Sequence, residues 1–207
     1  MLEDRRQAGR LLAGKLGKYS GKDPLVLALP RGGVEVAAEI VKEIGGRLEL
    51  IVSRKIGAPH NPELAIGAVA PDRSVILDKA LVRETGATEE YLKRESRIES
   101  IEIDRRKKIY GSDLRGEDVS KKTVIVVDDG IATGHTMRAS IGFLAKMGPK
   151  KIVVAVPVLP AESVKIFSGA ADDLVYLEAP KDFGAIGAHY RKFPQLTDAE
   201  VVRLLRR

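Results

Sequence analysis

Short, continuous apolar runs recur along this chain, and segments of helical pattern separate them. The first run covers residues 25–29 and ends at Pro30, and similar runs follow at 48–52, 123–127 and 151–156. These runs lack polar alternation, which is typical of strands that are buried on both faces of a sheet. Strands joined through helices need crossover connections, and these favour parallel pairing. We therefore predict an α/β fold with a mostly parallel, doubly wound sheet and helices on both faces.

The middle of the chain departs from this alternation, which returns with a last predicted strand at 173–177. Segments 64–70 and 74–77 flank the turn-forming sequence Pro-Asp-Arg at 71–73, and this pattern predicts a hairpin. The charge-dense segment 89–108 has helical character. Its thin apolar stripe consists of Tyr91, Ile98 and Ile101. The segment is either a solvated surface helix or, given its length, a cover over the edge of the sheet.

The composition narrows the class of protein. The chain has 207 residues, of which 44% are hydrophobic, and this suffices for one core or for one core with a small subdomain. It has no cysteine, which excludes disulfides and thiolate metal sites. No apolar run approaches the roughly 20 residues that cross a bilayer, and the charged start at 1–6 does not resemble a signal peptide. We expect a cytoplasmic protein with no membrane partner.

The charge balance points to an anionic partner. The formal net charge is +6, from 35 Lys and Arg residues against 29 Asp and Glu residues. Aromatic residues make up only 4% of the chain, and Trp is absent, so few rings are available to stack on single-stranded bases. We therefore favour a phosphorylated small molecule and expect no nucleic-acid partner. An RNA-binding protein is the weakest alternative, and its binding would fall steeply with salt.

The loop after the strand at 123–127 joins two carboxylates to a glycine-rich turn that leads into a helix. Its residues are Asp128, Asp129, Gly130, Ile131, Ala132, Thr133, Gly134, His135 and Thr136. Backbone amides in such a turn attract phosphate, and the positive end of the helix dipole adds to this. The paired carboxylates can accept hydrogen bonds from the two hydroxyls of a ribose. Residue chemistry thus favours a ribose 5-phosphate site over a loop in which Asp129 only caps a turn.

This loop also resembles the motif that binds 5-phosphoribosyl-1-pyrophosphate (PRPP) in the type I phosphoribosyltransferases. The resemblance implies that Asp128 and Asp129 bind the ribose and that residues 130–136 bind the 5-phosphate. In hypoxanthine-guanine enzymes a third acidic residue of this loop assists proton transfer at the purine, and Ala132 stands in that place here. The resemblance therefore disfavours 6-oxopurines as acceptors. His135 is interpreted as part of the start of the helix rather than as a general base.

Two further segments agree with the same family. The loop 29–33 is similar to the family's pyrophosphate loop, which commonly contains a non-proline cis peptide. The residues implied to bind pyrophosphate there are Arg31, Gly32 and Gly33. Arg54 and Lys55 resemble a basic pair of adenine phosphoribosyltransferases that precedes a mobile hairpin. The resemblance implies that Arg31, Arg54 and Lys55 form the catalytic clamp on the leaving group, whereas the alternatives are an ordinary turn and surface ion pairs.

The resemblance covers nearly the whole chain, and it is strongest to a group of uncharacterised bacterial and archaeal phosphoribosyltransferases. It implies a single domain over 1–207. The implied parts are a core at 23–57 and 121–178, a lid at 58–120, and a small hood formed by the N-terminal helix and 179–207. In this family the hood binds the acceptor base. Phe183 and Tyr190 are candidates to stack on that base, although both can equally pack against the core.

The family's chemistry implies Mg²⁺ that is bound mainly through PRPP. We expect no direct protein ligand for the metal, although Asp128 or Asp129 can reach it through water. The expected reaction is transfer of the 5-phosphoribosyl group to an unidentified base with release of pyrophosphate. The alternative is a regulator that binds PRPP or nucleotides without catalysis, and the retained basic clamp favours the enzyme. The resemblance also makes a homodimer possible.

Overall fold

The structure of the protein is a computed structural model, which describes residues 1–112, 114 and 116–206. Five parallel strands form the central sheet in the order β2-β1-β6-β7-β8. The strands are β1 (Leu25–Ala28), β2 (Arg47–Leu50), β6 (Thr123–Val127), β7 (Lys151–Val158) and β8 (Asp173–Glu178). The predicted α/β fold with a mostly parallel sheet is therefore confirmed. Strand β2 ends two residues earlier than predicted, although Ile51 N still donates to Ala28 O at 3.0 Å and both Ile51 and Val52 remain buried.

Helices cover both faces of this sheet, as predicted. They are α1 (Arg5–Lys15), α2 (Gly32–Ile44), α6 (His135–Ala145) and α7 (Ala161–Ala170), together with the short α5 (Gly116–Val119). Helix α8 (Asp198–Leu205) packs on α2. In β1, Val26 and Ala28 pack into one apolar cluster with α1 and α2, whereas Leu25 and Leu27 pack into another with α6 and α7. Alternate strand residues thus face opposite layers, which explains the continuous apolar runs.

A second, antiparallel sheet of three strands forms the insertion. It consists of β3 (Arg54–Ala58), β4 (Asn61–Val69) and β5 (Val75–Leu77), and β4 lies in the middle. The predicted hairpin corresponds to β4 and β5. Strand β3 was not predicted, because its sequence Arg-Lys-Ile-Gly-Ala has no apolar run and depends on pairing with β4. The basic pair Arg54 and Lys55, which was expected to precede the hairpin, therefore lies on a strand that pairs with it.

The charged segment forms α4 (Glu89–Tyr110), which follows the short α3 (Lys79–Glu84). It packs against the insertion, since Tyr91 Oη donates a 2.8 Å hydrogen bond to the carbonyl oxygen of Gly57. The prediction of its apolar stripe was wrong at two of three positions. Ile98 and Ile101 are 49% and 63% exposed, whereas Ile103 and Tyr110 are buried. The i, i+3 spacing alone could not show which face of so polar a helix would be covered.

The division into core, lid and hood stays a prediction. Among residues 1–112, 114 and 116–206, no helix combines the length and the apolar character that crossing a membrane would need.

Candidate active site

The candidate site lies where the order of the central sheet reverses direction. Successive strands are added on one side of β1 and then, from β6 onward, on the other. Loops at such a switch point diverge, and ligands of open parallel sheets bind there. The loops 29–33 and 128–136 leave these two neighbouring strands at the same edge, and Leu29 N donates to Val127 O at 2.8 Å. The topology therefore brings the two predicted ligand-binding loops together.

A cavity of about 390 Å³ opens at this edge. It is lined by both loops, by the residues after β2 and by strand β4 of the insertion. Its lining includes Leu29, Pro30, Ser53, Arg54, Lys55, Glu63, Ala65, Asp128, Gly130, Ile131, Ala132, Thr133, Gly134, His135, Thr136 and Ile186. All of the predicted 5-phosphate residues thus face one cavity, and so do Asp128 and the basic pair.

The glycine-rich turn presents the start of α6 to this cavity. Gly134 is the N-terminal cap with φ of +73°, and no side chain of the described residues caps this end. A Cβ at Gly134 would lie 2.6 Å from the ring of the buried Phe167, so both the backbone angle and the space require glycine. The first amides of α6 are therefore available to an anion, and the helix dipole adds positive potential.

The loop 29–33 packs directly against the other loop. A Cβ at Gly33 would lie 2.7 Å from Val127 O and 2.9 Å from Asp128 Cα, so only glycine permits this approach. The peptide bond between Pro30 and Arg31 is cis, as the family resemblance implied. Gly32 and Gly33 themselves begin helix α2.

The two adjacent carboxyl groups have different surroundings. Asp128 lines the cavity, and its Oδ1 accepts a 2.8 Å hydrogen bond from the backbone nitrogen of Asp129. Asp129 is buried, and its Oδ2 accepts a 2.7 Å hydrogen bond from Arg5 Nε. Its carboxylate also lies against the backbone of Gly32, where an added Cβ would be 1.8 Å from Oδ2. Of the two predicted ribose ligands, the structure brings only Asp128 to the cavity.

Because of burial and their neighbouring charges, the two carboxyl groups also differ in pKa. Burial and the neighbouring charge of Asp129 raise the pKa of Asp128 well above its ordinary value. Burial raises the pKa of Asp129 too, but the adjacent Arg5 guanidinium opposes the rise. Asp129 is therefore the carboxyl that ionises first, and Asp128 keeps a proton to higher pH.

The three predicted basic ligands each lie near a carboxylate. Arg54 and Lys55 line the cavity, whereas Arg31 is not one of the described residues that line it. The nitrogen–oxygen distances are 2.7 Å for Arg54 Nε and Glu99, 2.9 Å for Lys55 Nζ and Glu63, and 3.8 Å for Arg31 Nη1 and Asp198. The prediction that Arg31 belongs to the clamp thus requires its side chain to turn from α8 toward the cavity.

His135 is buried at the first position of α6, as the interpretation of a helix start predicted. Its Nε2 lies 3.8 Å from Asp78 Oδ2, and its Nδ1 has no hydrogen-bond partner among the described residues. Burial lowers the pKa of His135, because it disfavours the charged ring. The imidazole is therefore neutral at pH 7.

Comparison with known proteins agrees with this arrangement of loops. A family model described as the phosphoribosyl transferase domain matches residues 2–166, which include both loops and the insertion. The chain belongs to the phosphoribosyl transferase domain family.

Relatives of this phosphoribosyl transferase domain include two Mycobacterium tuberculosis proteins, from different strains, that are provisionally named phosphoribosyl transferases. Each is 41% identical to the chain over 210 residues, and the match covers 100% of the chain. The chain spans about half of their length, 47%. The crystal structure of TT1426 from Thermus thermophilus is 38% identical, with a TM-score of 0.76 and coverage of 99% of this chain and 97% of that one.

A purine phosphoribosyltransferase from Pyrococcus horikoshii shares the fold at 17% identity, with a TM-score of 0.50. The match covers 93% of this chain and 92% of that one. At this identity the likeness concerns the fold alone.

The C-terminal tail of the chain, which lies beyond the matched residues 2–166, approaches the site through a different residue than predicted. Tyr190 is buried, and its hydroxyl donates a 2.7 Å hydrogen bond to Asp129 O, so its ring has no free face for a base. Phe183 packs on His189, with 5.0 Å between ring centroids. Packing, the alternative that the sequence left open, describes both rings. Ile186 instead lines the cavity and lies against Gly130.

The donor set suits a metal that is held mostly by a substrate. Among residues 1–112, 114 and 116–206, no group of three or more His, Asp or Glu side chains could hold a metal ion. The Oδ1 of Asp128 accepts a hydrogen bond from a backbone amide, and the residue lines the cavity. Mg²⁺ keeps much of its water and is often bound by one or two carboxylates and substrate phosphates. The residues present therefore fit Mg²⁺ with Asp128 as its nearest carboxylate.

Several residues of the site had no signal in the sequence. Arg5 is 124 positions from Asp129, and a buried arginine looks like any other charged residue of a helix. Glu63 and Glu99 lie in segments whose charges read as solvated. Ser53 directly precedes the basic pair, and its Oγ lies 2.9 Å from the buried Ser140 Oγ. These residues could be identified only once it was known which segments of the chain contact each other in the fold.

Proposed function

We propose that this chain transfers the 5-phosphoribosyl group of PRPP to a nitrogenous base or a related acceptor and releases pyrophosphate. The observation that carries the proposal is one cavity that joins an uncapped helix start, at Gly134, to the carboxyl group of Asp128. These two features suit the two ends of a ribose 5-phosphate. The family membership of the chain supports the same reaction class.

The 5-phosphate is proposed to bind the turn 130–136. The amides at the start of α6 and its dipole attract the dianion, and the hydroxyls of Thr133 and Thr136 can donate to its oxygens. Asp128 accepts from the ribose hydroxyls. The sequence predicts the same role for Asp129, whose Oδ2 accepts from Arg5.

The pyrophosphate is proposed to bind near Arg54 and Lys55, with the backbone of Gly32 and Gly33 and the side chain of Arg31 completing the clamp. Each cation must exchange an internal carboxylate for a ligand oxygen. Mg²⁺, when bound with PRPP near Asp128, would neutralise charge on the leaving group. Catalysis then rests mainly on stabilising the departing anion.

In the proposed reaction, the bond from the anomeric carbon to pyrophosphate breaks and a bond to the acceptor nitrogen forms. The pyrophosphate leaves with the bonding electrons, and the acceptor loses a proton. The ribose is electron-poor at the transition state, so the ionised form of Asp128 would stabilise it. Exclusion of water by the insertion, which contributes Glu63 and Ala65 to the cavity, would protect the ribose from hydrolysis.

The identity of the acceptor is proposed only by class. Ala132 brings no acid to the loop, which favours acceptors other than 6-oxopurines. A regulator that binds PRPP without turnover is the alternative, and pyrophosphate release distinguishes the two. A homodimer and a cytoplasmic location stay predictions.

The test is calorimetric titration with PRPP, with and without Mg²⁺, of the intact chain and of Asp128→Asn. Asp104→Asn is the matched control, because Asp104 is an exposed carboxylate of α4 that pairs with Arg73. We expect binding that depends on Mg²⁺, is lost in Asp128→Asn and is kept in Asp104→Asn. Release of pyrophosphate with a panel of bases then identifies the acceptor. A folded chain that does not bind PRPP would contradict the proposal.

A further inference from the structure

Helix α6 contacts both the proposed 5-phosphate subsite and the insertion. Its first turn lines the cavity. Farther along, Ala139 packs with Ala68 and Ala70 of the insertion, and Lys146 Nζ, at the end of the helix, lies 2.7 Å from Asp72 Oδ2. The helix is therefore the element through which an anion bound at its start can act on the insertion.

His135 is the side chain of this first turn that faces the insertion. It is only 4% exposed, its Nε2 lies 3.8 Å from Asp78 Oδ2, and its Nδ1 has no partner among the described residues. The other oxygen of Asp78, Oδ1, accepts from Ala80 N at 2.9 Å and Leu81 N at 3.0 Å, and so caps helix α3. A distance of 3.8 Å is longer than a hydrogen bond, so the pair joins the two elements without being closed.

The surroundings of His135 favour its neutral form. Burial lowers the pKa of the imidazole, the charge of Arg138 on the same helix adds to this, and Asp78 opposes it. The charged residues that line the cavity beside it are Arg54, Lys55, Glu63 and Asp128. A neutral ring has a single N–H and cannot donate from both nitrogens. A phosphate dianion at the amides of α6 would bring negative charge close to the ring, and a nearby opposite charge favours the protonated form.

We propose that His135 is a positioning residue that takes up a proton when the 5-phosphate binds and then draws Asp78, and with it the insertion, toward the phosphate turn. This inference rests on the proposed function of the same site. The proton comes from the solvent, and the charged ring donates from Nε2 to Asp78 and keeps Nδ1 as a second donor. Because the insertion contributes Glu63 and Ala65 to the cavity, occupancy of one phosphate subsite would position the opposite wall.

Three variants isolate this link. His135→Gln removes the group that can be protonated. Asp78→Asn removes the negative charge but keeps a side-chain oxygen that can cap α3. Asp72→Asn is the matched control, because Asp72 also joins the insertion to α6 by an ion pair, but at the other end of the helix.

The first test counts protons. Calorimetric titration with PRPP and Mg²⁺ at pH 7, in buffers of different ionisation enthalpy, gives the number of protons taken up on binding. We expect the unaltered chain and Asp72→Asn to take up about half a proton more per PRPP than His135→Gln. Protons exchanged by PRPP itself are common to all variants, so the difference belongs to His135. Asp78→Asn should lie between the unaltered chain and His135→Gln.

The second test follows the insertion. Hydrogen exchange of residues 75–84, which form β5 and α3, is measured for each variant without PRPP and with saturating PRPP and Mg²⁺. We expect PRPP to slow this exchange about fivefold or more in the unaltered chain and in Asp72→Asn. The slowing should be smaller in His135→Gln and Asp78→Asn, because the occupied subsite then lacks its link to α3.

Two outcomes would overturn the inference while PRPP binding by the unaltered chain leaves the proposed function intact. Equal proton uptake by the unaltered chain and a folded His135→Gln would show that His135 does not titrate on binding. Equal slowing of exchange in the unaltered chain and Asp78→Asn would show that the pair does not position the insertion. If His135→Gln does not fold, unchanged uptake and unchanged slowing in Asp78→Asn decide against the inference. If the unaltered chain does not bind PRPP, the proposed function fails, and this inference fails with it.

Discussion

The two halves of the candidate site reach a phosphate in different ways. The turn 130–136 offers backbone amides at the start of α6, and their positions are fixed by the fold. The basic half offers side chains, each of which already has a carboxylate near it. These pairs are Arg54 with Glu99, Lys55 with Glu63, and Arg31 with Asp198. One half of the site is thus preorganised, and the other is internally neutralised.

This difference indicates how binding would proceed. The proposed 5-phosphate subsite requires no rearrangement, because Gly134 already holds the turn open. The proposed pyrophosphate subsite requires an exchange of anions, in which Glu63 of β4 and Glu99 of α4 give up their cations. Glu63 belongs to the insertion and Glu99 to the helix α4 that packs against it, so ligand binding and the positions of these two elements would be coupled. The following predictions test each half separately.

The largest effect is expected at Gly134. Replacing it with Ala places a Cβ 2.6 Å from the Phe167 ring at a backbone φ of +73°. We expect the free energy of unfolding to fall by about 3 kcal/mol, from backbone strain and overpacking together. Urea denaturation measures this, and PRPP binding should be lost with it because the turn must move.

Gly148→Ala is the matched control, because Gly148 has φ of +64° but open space around its Cβ. It should cost only about 1 kcal/mol, from the backbone strain alone. Equal losses of stability in the two variants would show that the packing of the turn against Phe167 is not what fixes the preorganised half.

The next effect concerns pH and His135. Burial lowers the folded-state pKa of His135 below its ordinary 6.5, so the unfolded chain binds this proton more readily. The free energy of unfolding therefore keeps its full value above pH 6.5. It falls as the pH decreases below 6.5, by at most about 1.4 kcal/mol per pH unit. His135→Gln should reduce the difference in unfolding free energy between pH 7.5 and 5.5. An unchanged difference in His135→Gln would contradict the prediction.

The fold was predictable to a large extent because its signals are local. The strands of the central sheet are apolar without interruption, and the helices between them have regular spacing. Strand β3 was not predictable in this way, since Arg54 and Lys55 carry no strand pattern and pair only because β4 lies beside them. The covered face of α4 was misjudged for the same reason. Its contacts depend on the insertion, and Ile98 and Ile101 remain exposed.

The candidate site was predictable where the backbone forms it. The turn around Gly134 and the close approach at Gly33 leave glycines in the sequence, because no other residue fits. Side-chain partners leave no such mark. The sequence grouped Asp128 with Asp129 as equals, and only the position of Arg5 distinguishes them. Residue type and spacing therefore predicted which loops carry the site but could not show which side chains turn into it.

The basic half is tested by Glu99→Gln. The Arg54–Glu99 pair is partly buried, with side chains 27% and 17% exposed. Removing the negative charge frees Arg54 for the ligand, so we expect PRPP to bind about three- to fivefold more tightly, in line with the modest energies of such pairs. Calorimetry measures this, with Asp104→Asn on the same helix as the control. Weaker binding would mean that Glu99 orients Arg54 in the bound state rather than competing with the ligand.

The smallest effect is expected for Glu63→Gln, and it serves as a reference for the effect of Glu99→Gln. Its side chain is 90% exposed, so water screens its 2.9 Å contact with Lys55. Glu63→Gln should therefore tighten PRPP binding by less than about twofold. If internal neutralisation limits the basic half, the gain must grow with the burial of the carboxylate that is removed, and Glu99→Gln must exceed Glu63→Gln. Equal gains in PRPP affinity for the two variants would instead indicate that only the net charge of the cavity matters. The two halves of the site would then differ in charge alone.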